Sequence, residues 1–270
     1  MQDKFKYIED APDTDGIQNS LVLTLSPIET CRFLEMELAG DFILRRYLIR
    51  KIVSDLQKTF EFCHRQLVEK LIVSLDDKTI RERAAYPLSE LCSYLPNEFR
   101  TEIITLFLGS KYKSIRNRGY KQLLAEWDGK YKSKIVKNWA DYKDYYAARL
   151  MIENLSEKEL SLFKSSLVES VLPWQLSRLY MKLAAKKASL LKELKKIDPI
   201  SYAYVMVKLG NKISQAEGEV LLSKNYKDER VGLLLWCLGH SGLWKVIVDY
   251  NEKHHKDEMT FNGLENEQMA

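Results

Sequence analysis

The chain has 270 residues, of which 46% are hydrophobic and 30% are charged, and this balance excludes a wholly disordered chain. It carries 42 lysines and arginines against 38 aspartates and glutamates, and the net charge of +4 does not by itself indicate an acidic partner. With only 11 glycines and 6 prolines, the chain lacks the turn residues that an all-β fold needs. The composition therefore favours an all-α fold.

Residues 1–20 are rich in acids and contain Pro12 and Gly16, which predicts an acidic N-terminal arm. This polar stretch lacks the apolar region of a signal peptide. The longest apolar run, VGLLLWCLG at 231–239, is far too short to span a bilayer. We therefore expect a cytoplasmic protein that makes no contact with a membrane.

Residues 21–252 consist of amphipathic segments joined by short polar links, which predicts one helical domain. Three stretches carry strong helix-start signals, with a Ser or Asp cap followed by Pro or by a Glu three residues later. They are SPIE (26–29), SEKE (156–159) and DPIS (198–201). Residues 253–270 show no periodicity and are predicted to be a polar C-terminal tail.

One pattern repeats through the first half of the chain. Three segments align without gaps: DFILRRYLIRKIV (41–53), DKTIRERAAYPLS (77–89) and YKSIRNRGYKQLL (112–124). In each, an aliphatic residue precedes an arginine, and apolar or small residues follow at helical spacing. The pairs are Leu44–Arg45, Ile80–Arg81 and Ile115–Arg116. The recurrence, about every 35 residues, is typical of stacked helix pairs.

This pattern resembles the first helix of a HEAT repeat, and DDKTIRERAAYPLSEL (76–91) is the closest match. Weaker echoes follow in YYAARLMIENL (145–155) and in later segments, whereas the signature of tetratricopeptide repeats is missing. The resemblance implies an α-solenoid of about six helix pairs. It also implies a non-enzymatic scaffold that binds a protein partner along a concave surface lined by the second helices. We interpret the repeating arginines as a structural ladder, because buried arginines are normally paired.

Positive charge is concentrated in two segments, 111–149 and 178–212. Within the first, lysines alternate with aromatic residues in a pattern that suits an acidic protein or a phosphate backbone. The predicted partner-binding residues are Lys130, Lys132, Lys134, Lys137, Trp139, Tyr142 and Tyr145. A nucleic acid is therefore the alternative partner. The simpler interpretation is that these lysines only solvate helix faces.

An enzymatic alternative comes from the same resemblance, because HEAT-like proteins include the alkylpurine DNA glycosylases, which use an aspartate beside tryptophans. The comparable residues here are Trp127–Asp128 and Trp139–Asp141, although no motif of that family aligns. Asp128 precedes Gly129 and fits a turn better than a catalytic site. Other catalytic motifs, such as GxSxG, HExxH and the P-loop, are missing from the sequence. We expect no enzymatic activity.

The four cysteines stand apart in the sequence, at Cys31, Cys63, Cys92 and Cys237, and form no CxxC motif. Cys63 is next to His64, but adjacent residues point to different faces of a helix. The spacing therefore predicts free, buried thiols and no metal or other cofactor.

Overall fold

The protein is described from a computed structural model that defines residues 14–184 and 188–254. These residues form sixteen α-helices and two 3₁₀ turns, with no strand among them, so the all-α prediction is confirmed. The helices are α1 (Thr14–Leu23), α2 (Pro27–Met36), α3 (Phe42–Leu56), α4 (Phe62–Val73), α5 (Arg81–Leu91), α6 (Asn97–Gly109), α7 (Lys113–Ala125), α8 (Lys132–Tyr142), α9 (Tyr145–Asn154), α10 (Glu157–Val168), α11 (Pro173–Ala184), α12 (Ala188–Ile197), α13 (Pro199–Lys208), α14 (Gln215–Asn225), α15 (Val231–His240) and α16 (Trp244–His254).

The chain divides into two compact units, and the boundary lies between Leu150 and Met151. Within the first unit, one series of contacts joins α1, α3, α5 and α7, and other contacts join α2 to α4 and α6 to α8. Consecutive helices also pack, as α2 does with α3, α4 with α5 and α6 with α7. Most of the packed pairs are thus either consecutive helices or helices two apart in the chain. This local packing is consistent with a helical repeat architecture.

The second unit follows the same local rule. Helix α11 packs against α13, and α13 packs against α15. Helix α14 packs against α16, and consecutive helices from α10 to α16 also contact each other. Its core includes Tyr180, Leu194, Val205 and Leu238, all buried. The second unit therefore shows the same kind of local helix packing as the first, although the sequence pattern is weaker there.

The predicted helix starts at 26–29, 156–159 and 198–201 are all present. Ser26 and Glu29 form a reciprocal capping box at α2, and Ser156 forms one with Glu159 at α10. Asp198 caps α13, where its Oδ1 accepts the Ile200 N–H at 3.2 Å. Local capping chemistry therefore sets these boundaries.

The predicted apolar stripe is buried in α3, α5 and α7. Its members are Leu48, Ile49, Ile52, Ala84, Ala85, Leu88, Gly119, Tyr120 and Leu123. At Gly119 a Cβ atom would lie 3.0 Å from Phe107 Cβ, so the absent side chain allows α7 to approach α6 closely.

One position of the stripe differs from the prediction. Leu44 and Ile115 are buried, whereas Ile80 is only half-buried and precedes α5 as its cap residue. The carboxylate of Asp77 accepts both the N–H and the hydroxyl of Thr79 at 2.7 Å. This local turn holds residues 77–79 outside the helix, so α5 begins one residue after Ile80.

The two ends of the described chain are helical further out than the sequence pattern indicated. Helix α1 begins at Thr14, inside the predicted arm, and Val22 near its end is buried. Helix α16 continues to His254, two residues into the predicted tail. The rest of the arm and tail, 1–13 and 255–270, lies outside the described residues. In the described part of the chain, every helix is too short or too polar to cross a bilayer.

The close helix contact at Ala84 gives a test of the fold. The Ala84 side chain is fully buried, so Ala84→Leu should overpack the interface and lower the free energy of unfolding by about 1–3 kcal/mol. Glu90→Leu, at an exposed position of the same helix, is the matched control and should have little effect. Urea denaturation followed by circular dichroism measures both. Equal midpoints for the two variants would show that the register of α5 is wrong.

Candidate functional site

The repeating arginines hold the turns that precede their own helices. We call α3, α5 and α7 the arginine helices and α4, α6 and α8 the second helices. Each arginine side chain donates to backbone carbonyls that lie six or so residues earlier, after the preceding helix. The bonds are Arg45 Nη1 to Leu38 O at 2.8 Å, Arg81 Nε to Leu75 O at 2.6 Å and Arg116 Nη1 to Lys111 O at 2.8 Å. The predicted structural ladder is confirmed for these three residues.

Two of the ladder arginines also stack on an aromatic ring from further along the chain. The Arg81 guanidinium lies 4.1 Å from the centre of the Tyr112 ring, and that of Arg116 lies 3.7 Å from the centre of the Tyr142 ring. Contacts of this kind favour arginine over lysine, because the planar guanidinium can stack and donate at once. Tyr142, a predicted partner-binding residue, is thus a packing partner of Arg116 although 47% of its surface is exposed.

Arg116 makes the strongest contact of the ladder with Asp144, which directly precedes α9. The two side chains are buried and pair at two points, Nε to Oδ2 at 2.6 Å and Nη2 to Oδ1 at 3.0 Å. The Tyr120 hydroxyl donates to the same carboxylate at 2.8 Å. Burial alone would lower the pKa of Arg116, but the bonds to Asp144 outweigh it and raise that pKa. The charged pair therefore persists inside the core.

The predicted lysines do not share one environment. Lys130 lies in a 3₁₀ turn and is paired with Asp128, Nζ to Oδ2 at 2.8 Å. Lys132 is half-buried at the start of α8. Lys137 is exposed on α8, Lys134 lies three positions earlier and is half-buried, and neither has an ion pair with another described residue. These two lysines are the part of the predicted cluster that remains available to a partner.

The aromatic members of the cluster are mostly used in packing. Trp139 is only 3% exposed, and Lys143 Nζ lies 3.8 Å from the centre of its ring. Tyr145 is half-buried and stacks edge to face on Tyr146 with the ring centres 5.0 Å apart. The structure therefore does not bring Trp139 and Tyr145 together with the exposed lysines.

The two candidate catalytic aspartates lie in ordinary surroundings. Asp128 Oδ1 accepts the Lys130 N–H at 3.0 Å, and the bonds from Lys130 lower the pKa of Asp128. Asp141 is exposed near the end of α8. The arrangement at Asp128 is that of a turn-forming residue, as its position before Gly129 indicated.

The second basic segment, 178–212, is also partly neutralised within the fold. Arg178 Nη1 lies 2.5 Å from Glu153 Oε1, and Lys195 pairs with Glu217. Lys182 donates to the Ile152 carbonyl at 3.1 Å. Lys186 and Lys187 lie outside the described residues. The positive charge read from the sequence therefore overstates the charge that this segment presents to a partner.

A groove between α4 and α6 is a surface that the sequence analysis missed. Its cavity volume is about 480 Å³, and its lining consists of Arg65, Glu69, Ile72, Val73, Glu98, Phe99 and Glu102. Val73 is 72% exposed. Arg65 is paired with Glu98 at 3.2 Å, whereas Glu69 and Glu102 have no ion pair with a described residue. The groove is thus apolar at its floor and acidic at its rim.

A sequence signal for this groove did exist. Glu69 and Val73 are four residues apart on α4, and Glu98 and Glu102 are four apart on α6, so each pair lies on one helix face. In the sequence these acids are less conspicuous than the lysine-rich segment 111–149. Their significance depends on the two helices lying side by side, which spacing along one helix does not show.

The buried pair between Arg116 and Asp144 gives a prediction about stability. Asp144→Ala should lower the free energy of unfolding by about 3–5 kcal/mol, because it leaves the Arg116 charge buried without its partner. The matched control is Glu126→Ala, which removes the 70% exposed carboxylate of the Arg100–Glu126 ion pair in the same unit and should leave the denaturation midpoint nearly unchanged. Thermal and urea denaturation measure both variants. A midpoint for Asp144→Ala equal to that of the control would contradict the structural role of the pair.

Comparison of the chain with protein-family models, with curated proteins and with solved structures gives no match. The functional argument therefore depends on the chain's own geometry.

Proposed function

We propose that the protein is a non-enzymatic scaffold of HEAT-like helix pairs that binds a protein partner over the exposed faces of its second helices, α4, α6 and α8. The regular arginine ladder and the contacts between alternate helices support the repeat architecture. Repeat proteins of this kind present a continuous row of helix faces, and shape and charge along that row select the partner.

The observation that carries this proposal is the change of charge along the second helices. The groove between α4 and α6 has an apolar floor, and Glu69 and Glu102 at its rim are not neutralised by described residues. The neighbouring helix α8 presents Lys134 and Lys137, which are likewise not neutralised. Unpaired charges of opposite sign on adjacent helices favour a partner of complementary charge and fix its direction.

The partner segment that fits the groove is a helix that carries both apolar and basic side chains on the face that meets α4 and α6. Its apolar residues would contact Val73 and Ile72, and its basic residues would pair with Glu69 and Glu102. An acidic portion of the same partner would then reach the lysines of α8. This arrangement keeps Lys134 and Lys137 in the binding role predicted for them and gives Trp139 a role in packing.

Two synthetic helical peptides test the groove, one of leucine and lysine and the other of leucine and glutamate. We expect fluorescence anisotropy to show that the lysine peptide binds the full chain. Glu69→Lys combined with Glu102→Lys should weaken that binding at least about tenfold, because two attractive contacts become repulsive. The matched control, Lys134→Glu combined with Lys137→Glu, should retain it. Equal affinity of both double variants for the lysine peptide would contradict the proposed groove.

A nucleic acid is the second candidate partner. Lys134 and Lys137 of α8, which have no ion pair with a described residue, favour it. Replacing Lys130, Lys132, Lys134 and Lys137 by glutamate should then abolish retention of a DNA or RNA duplex on a filter. The affinity of the unmodified protein should also fall steeply as salt rises, because phosphate contacts release counterions. Circular dichroism controls for folding of the variant. If the unmodified protein retains neither duplex at low salt, the nucleic-acid candidate is eliminated and the protein scaffold stands.

A further inference from the structure

Two cysteines and a histidine that are distant in the sequence meet where α2 packs against α4. Cys31 lies in α2, whereas Cys63 and His64 lie at the start of α4. One ligand atom from each residue, two Sγ atoms and a ring nitrogen, lie within 4.8 Å of one another. Cys31 and His64 are buried, at 3% and 1% exposed, and Cys63 is half-buried. Sequence spacing could not reveal this group, because its members come from two different helices.

His64 has a ring nitrogen without a partner. Its Nδ1 accepts the backbone N–H of Glu61 at 3.0 Å, and its Nε2 is buried with no hydrogen-bond partner among the described residues. Buried polar atoms in proteins are nearly always satisfied, so an unsatisfied one calls for an explanation.

The two thiols are close enough to hydrogen-bond to each other. Burial, with the neighbouring Cys63 and the acids Glu35 and Asp55, raises the pKa of the Cys31 thiol. Burial also raises the pKa of Cys63, although the hydrogen bond with Cys31 offsets part of that effect. Both thiols are therefore protonated and unreactive as nucleophiles near neutral pH. A cation that binds sulfur tightly can still displace their protons.

From this geometry we propose that Cys31, Cys63 and His64 form a Zn²⁺ site that links α2 to α4. Two sulfurs and one imidazole nitrogen are ligands that Zn²⁺ accepts and that Mg²⁺ and Ca²⁺ do not. In a tetrahedral zinc site neighbouring ligand atoms lie about 3.5–3.8 Å apart, so the present spacing closes by side-chain movements of about 1 Å. A water molecule can take the fourth position, because the Glu61 carboxylate is not among the ligand atoms that lie within 4.8 Å of one another.

The binding step balances in protons. The two thiols lose their protons to solvent when Zn²⁺ binds. The histidine proton moves from Nε2 to Nδ1, so that Nε2 becomes the ligand atom, and the Glu61 backbone N–H exchanges its bond to Nδ1 for one to water. The Glu61 carboxylate lies near the ring and can accept the new Nδ1–H, as second-shell carboxylates do at zinc sites. Around the cluster Glu35, Asp55 and Glu61 favour a cation, and Lys51, which is paired with Asp55 at 2.7 Å, opposes it.

Cobalt and zinc titrations of the reduced full chain test the site. We expect one equivalent of Co²⁺ to give sulfur-to-cobalt charge-transfer absorption, and Zn²⁺ to displace it. Competition with a chromogenic chelator should show that Cys31→Ser, Cys63→Ser and His64→Gln each weaken Zn²⁺ binding at least about a hundredfold, since losing a direct ligand costs more than losing a second-shell partner. Cys92→Ser, which alters a buried cysteine outside the cluster, is the matched control and should bind Zn²⁺ normally.

Three outcomes would overturn the site. The first is a cobalt spectrum without sulfur ligation, and the second is equal Zn²⁺ affinity in the unmodified protein and the folded His64→Gln variant. The third is a disulfide between Cys31 and Cys63, found by mass spectrometry of peptides from the denatured protein after it stands in air with Zn²⁺, which would identify the two cysteines as a redox pair instead. Circular dichroism of each variant separates loss of the site from loss of folding.

Discussion

The first unit depends on one recurrent interaction, an arginine side chain that binds the backbone carbonyls just after the previous helix. Those carbonyls lie one or two residues after the end of that helix, close to the partial negative charge of its C-terminus. A guanidinium satisfies them and brings a positive charge to the same place. Each arginine follows an aliphatic residue that is buried or half-buried. The arginine bond therefore fixes the turn before the helix and also which face of that helix packs against the core. A comparable bond is present at Arg45, Arg81 and Arg116, so the turns before α3, α5 and α7 are held in a similar way.

The ladder also explains why charge counted along the sequence is a poor guide to the surface. Arg116 contributes to the positive segment 111–149, yet it is buried against Asp144. Lys143 covers the ring of Trp139, and Lys130 closes a turn with Asp128. The repeat thus uses part of its positive charge to build itself. The charges that we propose for partner binding have both signs and lie on α4, α6 and α8. A binding function based on these faces needs complementarity rather than bulk charge.

Several features of the fold follow from sequence alone, because they depend on neighbours within one helix. The capping box of Ser156 with Glu159 and the buried pair Ala84–Ala85 are of this kind. Ile80 differs from Leu44 because a side-chain turn at Asp77 competes with the helix, and pattern matching does not weigh that competition. The pairing of Asp144 with Arg116 cannot be predicted from the sequence, because it requires the residue before α9 to lie beside α7. The groove between α4 and α6 escaped prediction for the same reason.

The ladder is not equally strong along the first unit, and this bears on the proposed zinc site. Arg116 binds two carbonyls and a carboxylate, and Arg81 binds two carbonyls. Arg45 binds only the Leu38 carbonyl, and its Nε is buried without a hydrogen-bond partner among the described residues. Arg45 therefore makes fewer charge-assisted bonds than Arg81 or Arg116, although Arg83 Nη1 also donates to the Ala39 carbonyl and Lys70 pairs with Glu35 in this region. A zinc ion between α2 and α4 would add a strong link beside the weakest member of the ladder, where the repeated interaction alone holds the helices least.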